Sequence, residues 1–193
     1  MSFLTGTQAE LLYSMPASIT KNTYTTIAAY TGVAGTNTIC SIDPNYFRNN
    51  VPNPIGRALV LEAWGTIANT AAATFANAVN INPTVATSTG NVAMNAAYTP
   101  TASVTAPFYV MARITCTAFL TSTMTLKVNG VVRYESVATG GAPTTTAQES
   151  GFSGSWTGLD PRVTQYVELF GTWSASSASN TTTVEQMSLW GLN

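Results

Sequence analysis

The sequence predicts an all-β chain, folded as an antiparallel sandwich. Three observations carry that prediction. Threonine occurs 33 times in 193 residues and aromatics make up 10%, a composition suited to pleated, half-buried strands. Leu, Glu and Lys are too scarce to supply a convincing helix. Short runs of alternating apolar and polar residues recur along the chain, punctuated by Gly, Pro and Asn. Hydrophobic residues reach 45%, enough for one core.

Residues 1–22 lack alternation and hold Phe3, Leu4, Leu11, Leu12 and Tyr13 among Thr, Gly and Gln. They read as an extended N-terminal arm with apolar anchors, which either covers its own sheet edge or reaches a neighbour. Residues 23–193 form the sandwich domain. Short strands are expected over 23–30 and 38–42, then a Pro- and Asn-rich loop over 43–54. Stronger strands follow over 57–68, 73–82 and 108–120, with a weaker one over 91–98. Asn129-Gly130 lies between two β-rich runs and predicts a type I′ hairpin turn within 124–135. The Gly- and Ser-rich stretch 140–158 reads as a loop, and the last strands are expected over 163–173 and 181–190. Eight or nine strands without a helix point to a sandwich of jelly-roll type.

The alternation assigns faces. Over 57–68, Leu59, Leu61, Ala63 and Ile67 share one face; Ala58, Val60, Glu62, Trp64 and Thr66 share the other. Over 108–120, Phe108, Val110, Ile114, Cys116 and Leu120 oppose Tyr109, Met111, Arg113 and Phe119. The face that should be wet therefore still offers Trp64, Tyr109, Met111, Tyr166, Phe170 and Trp190. Aromatics recurring on the outer side of several strands imply a contact surface. These six are the candidate subunit interface, and a homotrimer is the expected assembly.

Charge points the same way. Seven Lys+Arg and 8 Asp+Glu give a net charge of −1, and charged residues are 8% of the chain, against roughly 25% in an ordinary domain. Thr, Ser and Asn enter an interface at lower desolvation cost than Lys or Glu. Seven scattered cations cannot neutralise a run of phosphates, so nucleic acid is not an expected partner. No basic region or long apolar run begins the chain, and no membrane-spanning segment is expected.

No enzyme is expected either. Histidine is absent, which removes histidine bases and histidine metal ligands. Gly151-Phe152-Ser153-Gly154-Ser155 begins like a nucleophile elbow but ends in Ser155, with no helix after it. Glu62, Glu168 and Glu185 are the strand carboxylates available to a sandwich for glycoside hydrolysis; isolated surface carboxylates are the simpler reading. Asp43 and Asp160 each precede proline and read as turn initiators rather than calcium ligands. No catalytic residue, metal or cofactor is assigned. Cys40 and Cys116 read as reduced core cysteines, and the Asn180-Thr181-Thr182 sequon as incidental.

Two stretches resemble virion structural proteins of tailed bacteriophages, the capsid decoration and minor tail group. One is 163–187, in which Trp173-Ser174-Ala175-Ser176-Ser177-Ala178-Ser179-Asn180 joins the last two strands. The other is Asn45-Tyr46-Phe47 followed by Gly56-Arg57-Ala58-Leu59-Val60-Leu61-Glu62-Ala63-Trp64-Gly65. The resemblance touches about half of the chain and rests on strand and turn patterns. It implies a jelly-roll protein made in the bacterial host cytoplasm that binds the head of the virion as a trimer. The major capsid protein is then its partner, and Phe3, Leu4, Leu11, Leu12 and Tyr13 are the candidate capsid-contact arm. The alternative is a minor tail or receptor- and carbohydrate-binding module, with Tyr46, Phe47 and Trp156 as loop aromatics for sugar stacking.

Overall fold

The computed structural model describes residues 9–15, 19–22, 28–29, 41–42, 46–47, 54–69, 73–84, 89–95, 97–102, 104–135, 147–175, 177 and 179–192. They hold twelve strands: β1 (Ala9–Ser14), β2 (Ile19–Asn22), β3 (Ala28–Ala29), β4 (Ser41–Ile42), β5 (Ala58–Ala68), β6 (Phe75–Asn82), β7 (Val92–Ala93), β8 (Thr105–Phe119), β9 (Met124–Tyr134), β10 (Gln148–Leu159), β11 (Gln165–Trp173) and β12 (Thr181–Leu192). None of the described residues is helical. All pairings are antiparallel, as the composition predicts.

The larger sheet runs β1-β12-β5-β8-β9-β10, and the smaller runs β3-β11-β6-β7. β2 shares the outer edge of β12 with β1, and β4 shares that of β11 with β3. Early and late strands nest, with β12 on β5 and β11 on β6. The jelly roll has that nesting too; β8, β9 and β10, by contrast, form a meander within one sheet.

Alternation explains why the sheets meet. Leu59, Leu61, Ala63 and Ile67 of β5 are all fully buried, as are Val110, Ala112, Ile114 and Cys116 of β8. Phe75, Val79 and Ile81 of β6 and Val167, Leu169 and Trp173 of β11 complete the same core. One polar cluster crosses it. Asn77 Nδ2 donates to the Tyr134 hydroxyl at 2.9 Å, and that hydroxyl donates to Asn95 Oδ1 at 3.0 Å. Asn95 Oδ1 also accepts from the Asn77 backbone N–H at 2.8 Å. Tyr134 stacks on Tyr98 with 4.4 Å between centroids. These directional contacts lock β9 of the larger sheet over β6 of the smaller.

Three local expectations are corrected. Asn129-Gly130 is not a turn: it lies inside β9, which pairs without a break from Leu126 to Tyr134 on both sides. Gly130 is needed for space instead, since a Cβ there would sit 2.4 Å from the Met111 carbonyl and 2.5 Å from the Phe152 ring. A two-residue turn would have set buried Leu126 opposite exposed Arg133; the continuous strand gives each its proper side.

The stretch 140–158 is not a loop throughout, because its second half is β10. Ser150, Phe152, Gly154 and Trp156 turn inward while Gly151, Ser153 and Ser155 face solvent, an alternation hidden by small residues. Finally, Phe119 packs against the core and Leu120 is exposed, the reverse of strict alternation. A bulge between Cys116 and Ala118 shifts the pleat by one residue.

Residues read as the arm enter the sheet. Leu12 and Tyr13 are half-buried against the core, while Leu11 is exposed on the outer face. Phe3 and Leu4 lie outside the described residues, as does Cys40. Cys116 is a free thiol with no exposed surface, pushed above its ordinary pKa by burial.

Candidate interaction surface

The outer face of the larger sheet carries three rows of side chains across its strands. One row is Leu11, Trp190, Val60, Arg113 and Asn129. The next is Ser188, Glu62, Met111 and Val131, and the third is Gln186, Trp64, Tyr109 and Arg133. Leu11, Met111 and Trp64 are 49%, 42% and 38% exposed, high for large apolar side chains. Cations lie mainly to the β9 side: Arg113 is exposed, and Arg133 pairs with Glu135 at 2.8 Å. Desolvation raises the Tyr109 phenol above its ordinary pKa, and the neighbouring Glu62, to which it hydrogen-bonds, adds to the shift.

Four of the six predicted interface residues therefore share one surface: Trp64, Tyr109, Met111 and Trp190. Tyr166 and Phe170 are elsewhere, on the outer face of the smaller sheet, since Val167 and Leu169 between them point to the core. Phe170 is 2% exposed and Glu168 beside it is 1% exposed. The face is covered at Glu168 and Phe170, while Tyr166 is half-buried, so Phe170 is not free to meet another subunit.

The loop aromatics proposed for sugar stacking are part of the fold. Phe47 is 2% and Trp156 5% exposed, and the Trp156 indole donates to the Gly90 carbonyl at 2.9 Å. Tyr46 is half-buried; its hydroxyl donates to the Ala58 carbonyl at 2.8 Å, and the Arg57 guanidinium lies over its ring at 4.7 Å. Arg57 also donates to the Tyr46 carbonyl. Burial holds the Tyr46 phenol above its usual pKa, opposed by Arg57. Tyr46 and Arg57 thus latch this aromatic pair to the ends of β5 and β12.

Among the described residues, the candidate carboxylates, serine and aspartate do not converge on one site. Glu62 and Glu168 project from the opposite outer faces of the two sheets, and Glu185 is exposed at a bulge in β12. Ser153 is an exposed position of β10 rather than the tip of an elbow. Asp160 initiates a turn, accepting from the Arg162 N–H at 2.8 Å and pairing with its guanidinium at 2.7 Å. No group of three His, Cys, Asp or Glu side chains converges among the described residues. Asp43 lies outside them.

No family model matches the chain, and no curated protein matches it. One similar solved chain belongs to the structure of infectious bursal disease virus, Gx strain, at 11% identity and a TM-score of 0.34. The overlap covers 96% of this chain and 42% of that one. A likeness that weak carries no functional argument, so the surface itself has to carry it.

Proposed function

We propose that this chain is a virion structural protein of a tailed bacteriophage, a decoration protein that sits on the head as a homotrimer and stabilises the shell. The open aromatic face carries the reading. Trp64, Met111 and Leu11 are left exposed on one sheet face of a chain with 8% charge, where a freely diffusing domain keeps polar side chains. The resemblance of 163–187 and of the 45–65 stretch to phage virion proteins agrees with it. Trimer formation through this face buries the exposed aromatics. Three shell contacts per trimer then act together, because the second and third become intramolecular once the first has formed.

Within the arm, Leu12 and Tyr13 already belong to the sheet and Leu11 lies on the face assigned to the trimer, so shell contact through the arm rests on Phe3 and Leu4. Removing residues 1–8 tests that step without removing β1 or β2. Head binding that survives the deletion unchanged rejects an arm contact.

The function is tested by immunogold labelling of purified virions with an antibody to this chain. Dense label over the head is expected. Sparse label confined to the tail would replace decoration with a tail role, and unlabelled particles would overturn the virion assignment.

A further inference from the structure

The larger sheet ends in two unlike edges. One is occupied by β1, six residues long, kinked by a bulge between Leu11 and Tyr13, and followed along the same edge by β2. The other is β10, twelve residues long, paired to β9 without interruption from Gln148 to Trp156. Among the described residues, β7, β3 and β4 at the edges of the smaller sheet are only two residues each.

An edge strand turns the N–H and C=O of every second residue away from its sheet. Natural sheets blunt such edges with Lys, Pro, bulges or brevity. β10 uses none of these over its straight part. It contains no Lys, Arg or Pro, its one charge is Glu149, and its bulge lies at the far end beyond Trp156. Among the described residues, no backbone hydrogen bond joins β10 to anything but β9. A shallow groove lined by Met94, Asn95 and Phe152 runs beside this edge.

We propose that β10 is a self-pairing edge, joining two copies of this chain through antiparallel β10–β10 hydrogen bonds about a twofold axis. The occupant is a second copy for reasons of charge and register. Gln148–Trp156 is centred on Phe152, so a twofold there sets Gly151 opposite the other copy's Ser153, and Glu149 opposite Ser155. No carboxylate faces a carboxylate. Equivalent faces also stay on the same side, since odd positions pair with odd. The Phe152 ring leans over Gly130 of β9, away from the free edge. The outward positions beside it are Gly151 and Ser153, small enough for the two outer faces to run on as one surface. This contact is separate from the aromatic face used in the proposed trimer, and each stands or falls alone.

Two variants test it on the full chain. A Cβ at Gly151 meets nothing nearer than 4.0 Å and Ser153 is exposed, so both accept substitution. Gly151→Cys with Ser153→Cys is expected to give a covalent two-chain species under mild oxidation. Either single variant and the unmodified chain should stay at background, because residue 151 meets 153 and neither meets itself. Ser153→Lys is expected to halve the particle mass in solution while the chain stays folded by circular dichroism. Trp64→Ser with Met111→Ser, which breaks the aromatic face instead, should leave a two-chain species. Absence of the covalent dimer, together with a mass unmoved by Ser153→Lys, would overturn the proposal whatever becomes of the trimer.

Discussion

Two outer faces of this sandwich look alike in sequence and differ in the fold. Trp64, Tyr109 and Met111 alternate outward along β5 and β8; Tyr166, Glu168 and Phe170 alternate outward along β11. Trp64 and Met111 are open to solvent and Tyr109 is half-buried, whereas Glu168 and Phe170 are 1% and 2% exposed. Alternation therefore identifies which residues leave the core, but not whether another part of the chain covers them. The difference separates residues that hold the monomer together from residues available to a partner.

The largest test of that contrast is Phe170→Ala. Truncating a buried aromatic costs about 3–5 kcal/mol, so chemical denaturation should show a loss of that order. A loss under about 0.5 kcal/mol, typical of surface sites, would mean the smaller sheet is open after all. On the other face, Leu11→Ser is expected to fall within that surface range when unfolding is followed on the dissociated chain, since Leu11 is 49% exposed there.

A pH series sharpens the comparison. Burial raises the phenols of Tyr46, Tyr98 and Tyr109 above their ordinary value. Their stabilising contribution is fully present below the unfolded value near ~10 and is lost as pH rises through the higher folded values. Thermal melts should therefore fall above about pH 10. Tyr109→Phe should flatten that fall, because it removes the phenol pressed against Glu62. A melt unchanged between Tyr109→Phe and the unmodified chain would remove this interaction from the account.

The smallest effect is expected at the rim. Arg133 and Glu135 are 48% and 37% exposed, so Arg133→Ala should cost between about 0 and 1 kcal/mol in the same denaturation assay. Self-association through the apolar face should also change little between about 0.1 and 1 M salt, although the Debye length contracts from ~10 to ~3 Å. Dissociation over that range, followed by sedimentation, would point to charge rather than apolar burial.

Strands with large alternating side chains were legible in the sequence. β5, β8, β11 and β12 differ from their expected bounds by a few residues, because Leu59, Leu61, Val167 and Leu169 announce both strand and face. β10 was hidden, since Gly and Ser on both sides of a pleat look like a loop until Phe152 and Trp156 are seen to share a face. Asn129-Gly130 misled for the opposite reason: its turn preference is local, and it yields to two flanking strands that pair with all of β9. Of the candidate surface, Trp64, Tyr109, Met111 and Trp190 could be named from alternation alone. Leu11 could be named, but not placed beside Trp190, because that pairing joins the two ends of the chain across β12. The burial of Phe170 depends on what lies over the smaller sheet, which no local pattern encodes.

The central claim is that the open face of the larger sheet is an association surface. Sedimentation equilibrium of the unmodified chain and of the variant Trp64→Ser with Met111→Ser tests it most directly. The account predicts a threefold fall in mass for the variant, which stays folded by circular dichroism and melts lower because the stabilisation by association is lost. Equal masses for the two proteins, or a single 20.2 kDa chain in both, would contradict it.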